Sequence, residues 1–250
     1  MSAAMHGPVV RKLGALIDLT NEEITCLESL QSESRSFDRH VTLYGEGDRL
    51  DLTYMVVDGW AMRYKSLSDG RRQILNFILP GDFIGIYGSL IDIADHSVDT
   101  LTRMQTNVFA PQRILEVFGS CPRLGAAIAW TAGREEALLA EQVVRIGRRS
   151  AFERTAHLFL ELLKRLQLVG LAGQRSFEMP LSQDVLADSL GLSMVHVNRT
   201  LRRLRQSGLV KVVDKRLIIE DIERLERLAE FSPDYIDGGG LPAATQAELR

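Results

Sequence analysis

The sequence predicts an α+β protein: an N-terminal antiparallel β-roll of jelly-roll type, one long helix, and a C-terminal winged helix-turn-helix. Three observations predict it. From Ser36 to Ala110, short alternating apolar runs are punctuated by Gly, Asp and Pro. From Pro122 to Ile146, apolar residues recur in one stripe at near-heptad spacing. From Leu181 to Gly208, two short helical patterns are separated by a single glycine, and two strand-like runs follow.

The chain begins with a small, polar stretch, residues 1–12, expected to fray. Leu13 to Leu30 reads as helical, with Thr20 or Asn21 as cap and Glu22 and Glu23 in the first turn. The β region follows. Val41–Tyr44 precedes Gly45-Glu46-Gly47-Asp48, Leu52–Val57 precedes Asp58-Gly59, and Trp60–Leu67 precedes Ser68-Asp69-Gly70. Arg72–Leu79 then precedes Pro80-Gly81-Asp82, and Val98–Ala110 closes the region. Evenly spaced short strands with such turns indicate an antiparallel barrel or jelly roll.

Pro111 opens a helix over 112–118, and Pro122 opens the long one. In that helix Ile128, Ala132, Glu135, Leu139, Val143 and Ile146 form a seam one helix wide, the pattern of a helix that pairs with its own copy. Gly147 to Ser150 interrupts the pattern as a hinge, and Phe152 to Leu168 is a further amphipathic helix. The helix-turn-helix unit, a final helix over 221–231 and a Gly-rich tail complete the chain. Domains are thus expected at 13–121, 122–147 and 148–231, with 232–250 a disordered tail.

The helix-turn-helix unit carries the chemistry. Ser182 is placed to cap a first helix bearing Val185, Leu186 and Leu190, and Gly191 allows a sharp turn. Ser193 caps a second helix whose Val197, Leu201 and Leu204 fall at i, i+4 and i+7, facing Ala187 and Leu190. The opposite face offers His196, Arg199 and Arg203, flanked by Val195, Asn198 and Arg202. A helix of this kind suits the DNA major groove. Leu209–Val213 and Arg216–Ile219 around Asp214-Lys215 read as a β-hairpin, which makes the unit winged. With Ser182, Gln183 and Ser193 at the helix starts, these residues form the candidate DNA-facing set.

Charge agrees once it is divided along the chain. The net charge is −3, but residues 1–147 carry 14 Lys and Arg against 19 Asp and Glu, whereas residues 148–231 carry 15 against 11. Positive charge thus collects where phosphate contact would need it. Other chemistry is poorly supported. Cys26 and Cys121 give neither a disulfide framework nor metal spacing, and read as small core residues in a reducing cytoplasm. His40 and His96 lack the His-x-His pattern of a cupin-type metal centre. Gly81, Gly85 and Gly88 open no βαβ unit, and Asp92, Asp95 and Asp99 read as a solvated loop. No catalytic set, metal or cofactor is expected, and no run is long and apolar enough to span a membrane.

A β-roll, a long helix, a hinge and a winged helix-turn-helix in that order resemble the Crp/Fnr family of bacterial transcription regulators. The most telling pieces are Leu79-Pro80-Gly81-Asp82-Phe83-Ile84-Gly85 and the Leu181–Gly208 unit. The resemblance spans residues 13–231. It implies a cytoplasmic homodimer paired along the long helices, with two winged helices on a two-fold symmetric site, and it admits RNA polymerase as a further partner. Gly85, Ile86, His96 and Ser97 fall where the family's effector pocket lies. Members that bind cyclic AMP carry a glutamate for the ribose where Ile86 stands, and an arginine for the phosphate where His96 stands. The resemblance therefore implies that cyclic AMP is not the effector, and leaves the effector unassigned. Familiar members also carry a glutamate near Val195 and an arginine near Arg199, and only the arginine is matched.

Two other function classes compete. A regulatory subunit that binds a small molecule and acts through protein contacts would not need a wing. A β-barrel enzyme would need a nucleophile–base pair or a metal set, and neither is present in the sequence.

Overall fold

A computed structural model describes residues 7–238, 240 and 242–248. The chain divides into two compact units. The first comprises residues 1–63, 77–136 and 237–250, and the second comprises 64–76 and 137–236. The division falls inside the long helix, and the outer part of one β-hairpin goes with the second unit.

The first unit opens with helix α1, Pro8–Gly14, where a frayed start was expected; residues 1–6 lie outside the described residues. Val9 and Leu13 are buried, and that burial turns a polar-looking start into a helix. Helix α2, Asn21–Ser29, begins with a capping box: the Thr20 hydroxyl accepts from the Glu23 amide, and the Glu23 carboxylate accepts from the Thr20 amide. The strands are β1 (Glu33–Phe37), β2 (Thr42–Tyr44), β3 (Thr53–Asp58), β4 (Ala61–Ser66), β5 (Arg72–Ile78), β6 (Phe83–Ile84), β7 (Ser97–Thr100) and β8 (Met104–Phe109). They form two four-stranded sheets, ordered β1-β8-β3-β6 and β2-β7-β4-β5. The pairings β1–β8, β3–β8, β3–β6 and β2–β7 are antiparallel, as a β-roll requires.

Helix α3 (Arg113–Ser120) leads into α4, Pro122–Gly147. The early turns of α4 pack Leu124, Ala127 and Ile128 into a core shared with Leu13, Leu27, Met55, Phe83 and Phe109. Cys26 and Cys121 lie half-buried at the edge of that core, with free thiols. Burial first, and the neighbouring Cys121 second, push the Cys26 thiol up to about 11.

In the second unit, α5 (Ala151–Leu168) restarts the helix after the hinge with its own capping box, Ser150 with Glu153. A short strand β9 (Ser176–Glu178) follows. Then come α6 (Gln183–Leu190), α7 (Met194–Gln206), β10 (Val210–Val213), β11 (Arg216–Ile219) and α8 (Ile222–Ala229). The strands pair in the order β10-β11-β9. The expected disordered tail is helical in part, with α9 (Asp234–Asp237) and α10 (Ala243–Glu248), and Ile236 is buried.

His157 of α5 is 1% exposed. Burial, helped by the charges of Arg145 and Arg149, pushes its pKa from 6.5 down to about 2. The folded protein therefore holds this imidazole neutral, while the unfolded chain takes up its proton near 6.5. The stability this lends is complete above pH 6.5 and is lost as the pH falls toward 2, by up to about 1.4 kcal/mol per pH unit. Thermal melts at pH 7.5 and 5.5 are expected to show a lower melting temperature at pH 5.5, and His157→Gln should flatten that dependence. Equal slopes in wild type and variant would rule out His157 as its source.

Candidate nucleic-acid interface

Helix α7 sorts its residues by face. Val197 and Leu204 are fully buried and Thr200 nearly so, while Leu201 is half-buried. Two elements aim the helix. Gly191, the C-cap of α6, sits at φ +62, in the left-handed region open to glycine. Ser193 caps α7, its hydroxyl accepting from the His196 amide at 3.3 Å. Ser182 occupies the N-cap position of α6 but makes no cap hydrogen bond there. Its hydroxyl instead engages Asp184, the first cause holding that carboxylate below its usual range.

The candidate DNA-facing residues stand on the open side. Val195 is 79% exposed, Asn198, Arg199, Arg202 and Arg203 are exposed, and His196 is half-buried. Exposed Gln183 at the start of α6 accepts a hydrogen bond from the Asn198 amide at 2.6 Å. That bond joins the two helices and leaves the Asn198 carbonyl oxygen and the Gln183 amide group for an outside partner. The Arg203 guanidinium lies 4.4 Å from the centre of the Phe152 ring, a cation–π contact that fixes its direction. Arg199 has no such tether among the described residues.

The wing adds residues that the sequence pattern did not single out. Asp214 and Lys215 have φ of +49 and +63, a tight hairpin turn made by two non-glycine residues. Lys211, Lys215 and Arg216 are exposed around it. Their signal was legible: three basic residues within the hairpin's central stretch, Lys211–Arg216, beside an arginine-rich helix.

The four effector-pocket positions are held by the β-roll itself. Gly85 has φ +71, and a Cβ there would meet the Leu52 carbonyl oxygen at 2.8 Å. Ile86 is buried. The His96 imidazole bridges the Asp95 carboxylate at 2.5 Å and the Tyr44 hydroxyl at 3.0 Å, and burial lowers its pKa. The Ser97 hydroxyl accepts from the Glu46 amide. Nearby, the buried Arg63 of β4 pairs with Glu135 of α4 at 2.9 Å. Burial works against the charge on Arg63, but Glu135 and Tyr44 outweigh it and keep the guanidinium protonated. Sequence spacing did not reveal this pair, and it uses Glu135 within the chain. Ile128, at 2% exposure, is likewise spent on the core. Of the seam, Ala132, Leu139 and Ile146 are half-buried and Val143 is 66% exposed, with Val144 beside it at 42%.

Comparison with known proteins agrees with this architecture. Residues 34–120 match the cyclic nucleotide-binding domain, and residues 153–228 match the Crp-like helix-turn-helix domain. The nitrogen fixation regulation protein FixK of Bradyrhizobium diazoefficiens is 33% identical over 75% of this chain and 78% of its own. The chain belongs to the Crp/Fnr family. The transcriptional activator protein FnrL of Cereibacter sphaeroides is 29% identical over 88% of each chain. The solved structure of FixK2 from Bradyrhizobium japonicum aligns with a TM-score of 0.72 at 25% identity, covering 80% of this chain and 98% of that one.

As a Crp/Fnr member the protein is a DNA-binding transcription regulator, and α7 is the helix expected to enter the groove. Arg199, exposed and untethered, carries a fork that matches O6 and N7 of guanine. Arg203, one turn further and held by Phe152, is expected to meet the backbone. Arg199→Ala is expected to relax preference at one base pair of each half-site, at a cost of about 1–3 kcal/mol. Arg203→Ala should weaken all sequences alike and lower the salt slope by about one unit. Binding selections and salt titrations on both variants check this. An unchanged motif for Arg199→Ala would make that residue a phosphate anchor instead.

Proposed function

We propose that the regulator acts as a cytoplasmic homodimer paired along α4, reading a two-fold symmetric site with one guanine contacted by Arg199 in each half. It acts by binding rather than by catalysis, and RNA polymerase is its further partner, as the name of the relative FnrL as an activator suggests. The observation that carries the dimer is the stripe Ala132, Leu139, Val143 and Ile146. Apolar side chains at that spacing, with Val143 two-thirds exposed in the single chain, leave surface that a second copy of the helix would bury.

Light scattering should give the dimer mass at micromolar concentration. Leu139→Glu with Val143→Glu should give monomers whose affinity for the selected site falls by at least about a hundredfold, because one half-site then binds alone. A monomeric wild type would end this reading.

Cyclic AMP does not fit as the effector. Buried Ile86 offers no carboxylate to a ribose, the His96 ring nitrogens are taken up by Tyr44 and Asp95, and the Arg63 charge is already met by Glu135. A phosphate left without a charged partner would cost several kcal/mol, enough to erase micromolar affinity. Calorimetry with cyclic AMP is expected to show no micromolar binding, and a clear micromolar isotherm would overturn the assignment.

A further inference from the structure

The end of α4 is built into a buried polar cluster within the second unit. Gln142, Arg145, His157 and Glu161 are each no more than 5% exposed. Arg145 forms an ion pair with Glu161, donates to the Gln142 carbonyl oxygen at 2.6 Å, and donates from Nε to His157 Nδ1 at 3.2 Å. The amide group of Gln142 donates in turn to the carbonyls of Ser189, in the last turn of α6, and of Ile74 in β5, at 2.7 and 3.1 Å. His157 Nε2 lies 3.3 Å from Glu141, which also takes Arg149 at 3.1 Å, and Arg149 reaches the Ala229 carbonyl at the end of α8. The C-terminal segment closes the cluster. Tyr235 donates its hydroxyl proton to Glu161 at 3.0 Å, its ring stacks on His157, and Phe231 meets His157 edge-on. Residues 229–236 lie past the end of the matched helix-turn-helix domain.

A buried ion pair gives little net stability, because desolvating two charges offsets their attraction, and apolar residues of similar volume often serve as well. Directional hydrogen bonds do something apolar packing does not: they favour one orientation over its neighbours. Here the bonds from the last turns of α4 reach α5 and α6 of the helix-turn-helix unit, the reading head, and also Ile74 of β5. We propose that the Arg145–Glu161 pair, closed over by Tyr235, is a joint that fixes the angle at which the reading head leaves α4 and so sets the half-site spacing the regulator accepts. The proposal rests on the dimeric, two-fold reading given above. Arg145, Glu161 and Tyr235 are positioning residues, acting through α5 and α6 rather than touching DNA. In a two-fold dimer an angular error at the joint enters twice, once for each head, and the separation of the two recognition helices shifts with it.

The experiment uses the full-length protein and the site recovered by wild-type selection, together with versions whose half-sites are moved apart or together by one base pair. The double variant Arg145→Met with Glu161→Leu removes the pair while preserving bulk. It is expected to melt within a few degrees of wild type, remain dimeric, and bind random DNA with the wild-type salt slope. Its preference for the selected spacing over the altered ones should fall by about tenfold. Tyr235→Phe, which loses only the hydroxyl, should lower that preference by about two- to threefold with no change in affinity for random DNA. A merely structural role would change melting temperature and all affinities together, and leave the spacing preference intact. Wild-type spacing preference in the folded double variant overturns the joint; if the double variant does not fold, the same result for Tyr235→Phe does so. A wild type that is monomeric or indifferent to spacing overturns the dimeric reading, and the joint with it.

Discussion

Burial of Val197 and Leu204 sets the rotation of α7, and the face it turns outward follows from that. Both side chains are inaccessible to solvent. At about 25 cal/mol per Å² of apolar surface, two such residues contribute several kcal/mol, more than any contact on the outer face. A helix of 3.6 residues per turn with those positions facing inward must present Val195, Asn198, Arg199 and Arg202 outward. The orientation is therefore prepared by the core before any DNA arrives. Gly191 and Ser193 refine it: one permits the turn that brings α7 back over α6, and the other satisfies an amide that the helix start leaves free. The contacts that remain on the outer face, Asn198 with Gln183 and Arg203 with Phe152, pin individual side chains and not the helix.

The β-roll meets an analogous requirement by a different route. Its interior contains Arg63, a charge that could not be buried alone, and Glu135 supplies the counter-charge from α4. Tyr44, pushed up to about 12 by burial, stays protonated beside His96. The Arg63 charge is thus met within the chain, and an anionic ligand would have to compete with Glu135 for the guanidinium. The same pair takes Glu135, one of the heptad positions of α4, into the β-roll.

What the sequence made legible was what local chemistry determines. The Thr20 and Ser193 caps, the glycine at the helix-turn-helix corner, the Asp214-Lys215 turn and the alternation of most strands follow from residues within a few positions of one another. What it did not show depends on distant partners. Strand β9 has only three residues and no clear alternation; pairing with Arg216–Ile218 makes it a strand. Helix α1 looks polar until Val9 and Leu13 find the core. Arg63 and Glu135 are 72 residues apart, and no spacing rule joins them. Ser182 has the type and place of a cap, yet its hydroxyl donates to the Asp184 carboxylate and accepts no amide of the first turn.

The long helix shows where periodicity stops being informative. A heptad stripe says that one face is apolar along the whole length, but not what covers each turn of it. In α4 the early turns spend Leu124, Ala127 and Ile128 on the chain's own core, and the later ones leave Val143 and Val144 in solvent while burying Gln142 and Arg145. The polar residues there are the inward ones, the reverse of what an amphipathic pattern predicts. Burying polar groups is tolerated only when each finds a partner, and here each does. The apolar side is thereby turned outward. The hydrogen bonds made by Gln142 and Arg145 and the outward placement of Val143 and Val144 are two consequences of one rotation of α4.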